Sequence, residues 1–146
     1  MHGRELQGMI AASVYIACRQ SGEPVPTNAV VDAIGSTKRR FQNSYRVLID
    51  ELESQVMPPE PSGYISYLGM ELEVSEYVIE RAGKLTKTAH VGGNPAAIAV
   101  AALYIASGES SEGMTLCEAG EAAGVAKETV WRHSQEMREV QTNDRN

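Results

Sequence analysis

Residues 9–20 read MIAASVYIACRQ, and residues 98–109 read IAVAALYIASGE. Set 89 positions apart, Tyr15-Ile16-Ala17 falls on Tyr104-Ile105-Ala106, each triplet inside an alanine-rich apolar run. Each run is followed by a short polar loop, then a Thr-led stretch (Thr27, Thr115), then a stretch opening on a lysine (Lys38, Lys127). A motif recurring at a fixed offset marks one supersecondary unit used twice. The expectation is an all-α chain made of two copies of a helical unit.

Working outward from the repeat, residues 4–20 are apolar on nearly every side, through Leu6, Met9, Ile10, Val14, Tyr15 and Ile16 with alanines between them. Such a helix is expected to be covered on several faces. Ser21-Gly22-Glu23-Pro24 breaks it. Thr27 is placed to cap a short helix ending near Gly35, with Val30, Val31 and Ile34 inward. Thr37 is placed to cap a longer one, Lys38 to about Ser54, where Phe41, Tyr45, Leu48 and Leu52 form a stripe. Prolines 58, 59 and 61 suggest a linker.

Beyond it, helices are expected over Tyr64–Leu72, from a Ser75 cap to about His90, and over Ala96–Ser107 behind an Asn94 cap and Pro95. Thr115 and Glu118 have capping-box spacing and open a short helix to about Ala123. Gly124-Val125 turns the chain into a last helix, Lys127–Val140, followed by a polar tail expected to fray. No strand-like alternation occurs. The resulting organisation is a first unit over 1–56, a Pro-rich linker over 57–62, a second unit over 63–140 and a disordered tail over 141–146.

Composition restricts the function. The formal charge is −6 and hydrophobic residues make up 42%. Residues 1–56 balance six basic against six acidic side chains, so the whole acidic excess lies in residues 57–146, seven against thirteen. Cys18 and Cys117 sit inside helical patterns without CxxC or Cys/His spacing, and read as ordinary buried thiols of a reducing, cytoplasmic setting. His2, His90 and His133 read as terminal, loop and surface residues. No nucleophile–base spacing and no phosphate loop after a strand occur. Neither an enzyme, a cofactor, a metal site nor a membrane span is expected.

Two constellations remain. The pattern over 115–140 has helix–turn–helix lengths, and its second helix would present Lys127, Glu128, Thr129, Trp131, Arg132 and Gln135. Charge opposes DNA binding there, with three basic and five acidic side chains in that stretch. The equivalent corner of the first unit carries Lys38, Arg39, Arg40 and Arg46, a patch suited to phosphates.

Taken in order, HGRELQGMIAASVYIACRQSGEPVP (2–26), STKRRFQNSYRVL (36–48), GGNPAAIAVAALYIAS (92–107) and TLCEAGEAAGVAKETVWRHSQEM (115–137) resemble the C-terminal core of archaeal transcription factor B and eukaryotic general transcription factor IIB. The resemblance covers about residues 2–140. It implies two cyclin-like repeats of five helices each: here a complete second repeat ending in the helix–turn–helix, and a first repeat reduced to three helices. It implies binding to the TATA-binding protein and promoter DNA in preinitiation complex assembly. With no zinc ribbon in the match, it also implies weak or absent contact to RNA polymerase, hence a divergent regulator or decoy. The alternative is a cyclin-fold protein-interaction module that does not bind DNA.

The resemblance also assigns residues. The family's basic start to the last helix of the first repeat falls on Thr37, Lys38 and Arg39, while an arginine usual one turn further on falls on Asn43. In the second repeat the pattern Gly-Val-x-x-x-Thr-Ile-Arg falls on Gly124, Val125, Thr129, Val130 and Trp131, and an apolar base contact falls on Glu128. The DNA-binding set is therefore Lys38, Arg39, Arg40, Arg46, Lys127, Thr129, Trp131 and Arg132, with tryptophan standing where the family reads a base with arginine.

An opening helix built for burial but short of two neighbours has an energetic consequence. If about four apolar side chains stay wet, the loss is roughly 6–12 kcal/mol at about 1.5–3 kcal/mol each, comparable to the whole stability of a domain. Residues 1–56 are then not expected to be independently stable: they dock on the second unit, dimerise, need a partner or belong to a longer protein. A peptide of residues 1–56 is expected to lack a cooperative monomeric thermal melt by circular dichroism; a sharp, concentration-independent transition would refute this.

Overall fold

The expected helices form, and every regular element among the described residues is an α-helix. The computed structural model describes residues 3–52 and 60–145. The helices are α1 (Gly3–Gln20), α2 (Thr27–Ile34), α3 (Lys38–Leu52), α4 (Pro61–Glu71), α5 (Glu76–Thr88), α6 (Pro95–Glu109), α7 (Leu116–Ala123) and α8 (Lys127–Arg145). They fall into two units, Met1–Pro59 and Glu60–Asn146. Pro58, Pro59 and the expected end of α3 near Ser54 lie outside the described residues, as does His2.

Local chemistry explains the boundaries. Thr37 Oγ1 accepts the Arg40 amide at 3.2 Å, Asn94 caps Ala96 at 3.0 Å with Pro95 next to it, and Thr115 Oγ1 accepts the Glu118 amide at 3.1 Å. Each satisfies an amide that a helix start would leave without a partner. Three expectations are corrected. Thr27 is the first residue of α2 and Pro26 is its cap, with no side-chain cap bond. Pro61, read as linker, opens α4, where its missing amide and fixed φ cost nothing. The last helix runs to Arg145 rather than ending at Val140, taking in residues expected to fray.

In the second unit the core is organised around α6. Eleven of its fifteen residues are buried, and α4, α5, α7 and α8 all pack on it. Its alanines let these neighbours approach closely, and Leu68, Val78, Leu85, Val130 and Met137 close over it at 0% exposure. On α5, Val78, Ala82 and Leu85 face inward and are buried, with Ile79 half-buried beside them.

The first unit uses the same plan with fewer elements. Here α1 packs on α2 and α3, around Ala11, Ala12, Tyr15, Ile16, Val30, Val31 and Phe41. Tyr15 meets Phe41 and Tyr45 edge-on, with ring centroids 5.4 and 5.5 Å apart, and Arg19 donates to the Tyr45 hydroxyl. The face of α1 carrying Leu6, Ile10 and Val14 is open, at 49, 42 and 39% exposure. The shortfall is three side chains, each about half wet, or roughly 2–4 kcal/mol. That is smaller than the sequence suggests, because α3 covers more of α1 than a count of missing neighbours implies.

Three side chains depart from their expected surroundings. His133 is buried at 3% exposure, because α8 turns Val130, His133, Ser134 and Met137 inward at helical spacing. Its ring lies against Gly93, where a methyl would come within 2.7 Å of Cε1. Cys117 is exposed rather than buried, and Cys18 is intermediate.

The loop after α6 is tied back to the start of α5. The Glu112 carboxylate accepts the Ser75 amide at 2.9 Å, the Ser75 hydroxyl, and the Ser110 hydroxyl at 3.3 Å. These bonds, the Ser75 hydroxyl first, hold the Glu112 carboxyl below its ordinary pKa. A depressed folded-state pKa adds stability above the ordinary carboxylate range and loses it as pH falls through the lowered value. Glu112→Gln is therefore expected to lower the Tm at neutral pH, with the difference from the native chain shrinking as the pH is taken below 4 or so. A gap that stays constant with pH, measured by thermal melts across that range, would show that the ionised carboxylate contributes nothing.

Candidate nucleic-acid interface

The helix–turn–helix of the second unit is made by its backbone. Gly124 caps α7 in the left-handed region, φ 71°, a conformation glycine adopts without steric cost. Its amide donates to the Glu121 carbonyl at 3.3 Å, and the Val125 amide reaches back to Gly120 at 2.9 Å. The turn then delivers Lys127 as the first residue of α8.

The same corner is built in the first unit, 89 residues earlier. Gly35 caps α2 at φ 77°. The amides of Gly35 and Ser36 both donate to the Val31 carbonyl at 3.0 Å, and Lys38 opens α3. Ser36 to Val31 and Val125 to Gly120 are equivalent bonds in the two copies. One backbone device therefore aims two different helix starts.

Those helix starts differ in chemistry. On α3, Lys38, Arg39 and Arg46 are exposed, whereas Arg40 is half-buried. Arg40 lines a groove between α1 and α3 together with Glu5, Met9, Asn43, Ser44 and Val47. Glu5 of α1 thus lines the same groove as Arg40 and brings a carboxylate to the edge of the patch. No local pattern announces Glu5; only the α1–α3 packing brings it there.

On α8, Lys127 and Glu128 are exposed and Thr129 is half-buried. Trp131 stands 48% exposed, on the N-terminal half of the helix, where a reading helix meets base edges. Arg132 points outward with its Nε 3.9 Å from Glu136 Oε1, one turn on. Such a surface pair is worth a few tenths of a kcal/mol, so it does not prevent Arg132 from leaving for a phosphate. Gln135 is half-buried and its Nε2 is enclosed without a partner, which removes it from the candidate base readers. Among the described residues no group of three or more His, Cys, Asp or Glu is arranged to hold a metal ion. No described helix is long and apolar enough to cross a membrane.

Gly120 is a packing position at the corner that sequence reasoning missed. A methyl there would lie 2.7 Å from the Val125 carbonyl oxygen, so α7 and the turn touch backbone to backbone. The signal available was the Gly120-x-x-x-Gly124 spacing across the corner.

Comparison with known proteins agrees with this geometry. The family model described as the transcription factor TFIIB repeat matches residues 1–51 and 55–140. Transcription initiation factor IIB 6 of Halobacterium salinarum is 30% identical over 144 residues, 95% of this chain and 45% of that protein. Transcription initiation factor IIB of Archaeoglobus fulgidus is 33% identical over 144 residues, 95% of this chain and 44% of that protein. That of Pyrodictium occultum is 32% identical over 142 residues, 94% and 46% respectively. The chain spans about half the length of the curated relatives it matches.

Gly120→Ala is expected to destabilise the second unit by about 1–3 kcal/mol, because the added methyl meets backbone that cannot swing away. Urea unfolding monitored by Trp131 fluorescence measures it. An unchanged midpoint would mean that the corner relaxes without cost.

Proposed function

Because this chain belongs to the transcription factor TFIIB family, a family of initiation factors and not of enzymes, we propose that it binds the TATA-binding protein and promoter DNA during preinitiation complex assembly. The observation that carries the reading is the corner built twice with the same hydrogen bonds. A helix start aimed outward at each corner suits two contacts along one duplex. Lys38, Arg39 and Arg46 supply sequence-independent phosphate contacts, with Arg40 at the edge of the patch. Lys127 and Arg132 do the same on α8, where Thr129 and Trp131 face the bases. Its setting is the cytoplasm, where an archaeal promoter lies.

The second unit reads DNA differently from the family pattern. Tryptophan at 131 cannot make the bidentate arginine–guanine pair, worth roughly 1–3 kcal/mol of discrimination. Its exposed ring suits apolar contact with a thymine methyl instead. A factor so altered is a regulator of a promoter subset, or a competitor for the TATA-binding protein, rather than a general initiation factor.

A second reading is favoured by Glu128, Trp131 and the acidic excess over 115–140: α8 docks on protein and not on DNA. Gel shifts with promoter DNA, with and without TATA-binding protein, separate the two. A ternary complex that weakens with salt is expected. Lys38→Ala with Arg39→Ala should lower affinity alike on all sequences and reduce the salt slope by about one for each phosphate no longer neutralised. Trp131→Ala should change sequence preference. Salt-insensitive binding to TATA-binding protein without DNA would favour the second reading, and binding to neither would overturn both.

A further inference from the structure

The outward side of α8 begins as a single stripe. Glu128, Trp131 and Arg132 are exposed at spacings of three and one, and Gln135 follows half-buried. Val130, Ser134 and Met137, on the opposite side, are 0% exposed. Gly124 and the Val125–Gly120 hydrogen bond fix the corner, so whatever meets the start of α8 meets this stripe. Within it the Glu128 carboxylate is available. Arg132, one turn on, directs its guanidinium toward Glu136 at 3.9 Å, and none of the ion pairs among the described residues includes Glu128. Beside it the Trp131 ring is 48% exposed.

We propose that Glu128 selects cytosine: its carboxylate accepts a hydrogen bond from the N4 amino group of a cytosine in the major groove, next to the base pair that Trp131 meets. The inference rests on the promoter-binding reading of α8 and adds the base that this helix prefers. A carboxylate brought against a duplex loses water and is repelled by every phosphate near it. It lowers affinity unless a donor replaces that water. The N-terminal residues of a reading helix face base edges rather than the backbone. Of the edges exposed in the major groove, guanine offers two acceptors, and thymine an acceptor and a methyl. Adenine offers an amino group, but beside the N7 lone pair, which repels a carboxylate. Cytosine presents its N4 amino group with no acceptor next to it. Trp131 lies about 4.5 Å further along the helix at about 1.5 Å per residue, close to the roughly 3.4 Å spacing of stacked bases. The two side chains therefore suit neighbouring pairs, a cytosine at Glu128 and a thymine methyl at Trp131. A carboxylate in the first turn also suits the helix dipole, but that role leaves base preference untouched.

Selection from promoter duplexes with randomised flanks, using the full chain together with TATA-binding protein, tests it. A cytosine–thymine step is expected among the bound sequences. Replacing its C·G pair should weaken the ternary complex roughly 5- to 150-fold. Glu128→Ala should erase the cytosine preference and raise affinity for unrelated duplexes, because a like charge leaves the interface. Glu128→Gln, nearly the same shape, should move the preference from cytosine to adenine, whose N6 and N7 match an amide. The helical circular dichroism of both variants should equal that of the native chain, since Glu128 is exposed. A ternary complex with no cytosine preference, or with the same preference in the native chain and both variants, would overturn this inference and leave promoter binding standing. Absence of any complex with DNA would overturn the promoter-binding reading, and this inference with it.

Discussion

Everything in this fold depends on covering a helix that is apolar all the way round. Such a helix has no face to offer water, so it is stable only where neighbours surround it. In the second unit that condition is met. The small side chains of α6 let four helices come close, and the elements that cover it thereby become fixed in space. One of them is α8, whose outward side carries Trp131 and Arg132. The position of the candidate reading surface is thus a consequence of how α6 is buried.

In the first unit the same constraint is only partly met. Tyr15, Phe41 and Tyr45 build an aromatic joint that holds α1 to α3, and α2 covers a second side. Leu6, Ile10 and Val14 stay half wet. A cost of a few kcal/mol matters against the narrow margin of a folded domain.

The two corners separate geometry from chemistry. Gly35 and Gly124 adopt the same backbone state, and the bonds from Ser36 and Val125 close the same turn. None of these groups needs to touch a ligand. The side chains they aim are free to diverge: three exposed bases on α3, a tryptophan flanked by Glu128 and Arg132 on α8. Duplicating the backbone while varying the helix start lets one unit present two different chemistries from the same geometry.

Much was legible in the chain itself. The recurrence of Tyr-Ile-Ala, the caps at Thr37, Ser75, Asn94 and Thr115, and the turn at Gly124 are local, since each depends on residues within a few positions of one another. Sequence therefore determined the all-α class, the helix order, the two corners and the family. It also placed Trp131 where the family has arginine. Only the tertiary structure decided which side chains have company. Glu5 shares a groove with Arg40, His133 lies under Gly93, Glu112 ties the loop after α6 to Ser75, and Gly120 leaves no room for a methyl, all through packing that the local pattern does not announce. A helical period says which residues share a face; what meets that face is settled by the packing of other helices, and the periodicity of one helix carries no record of it.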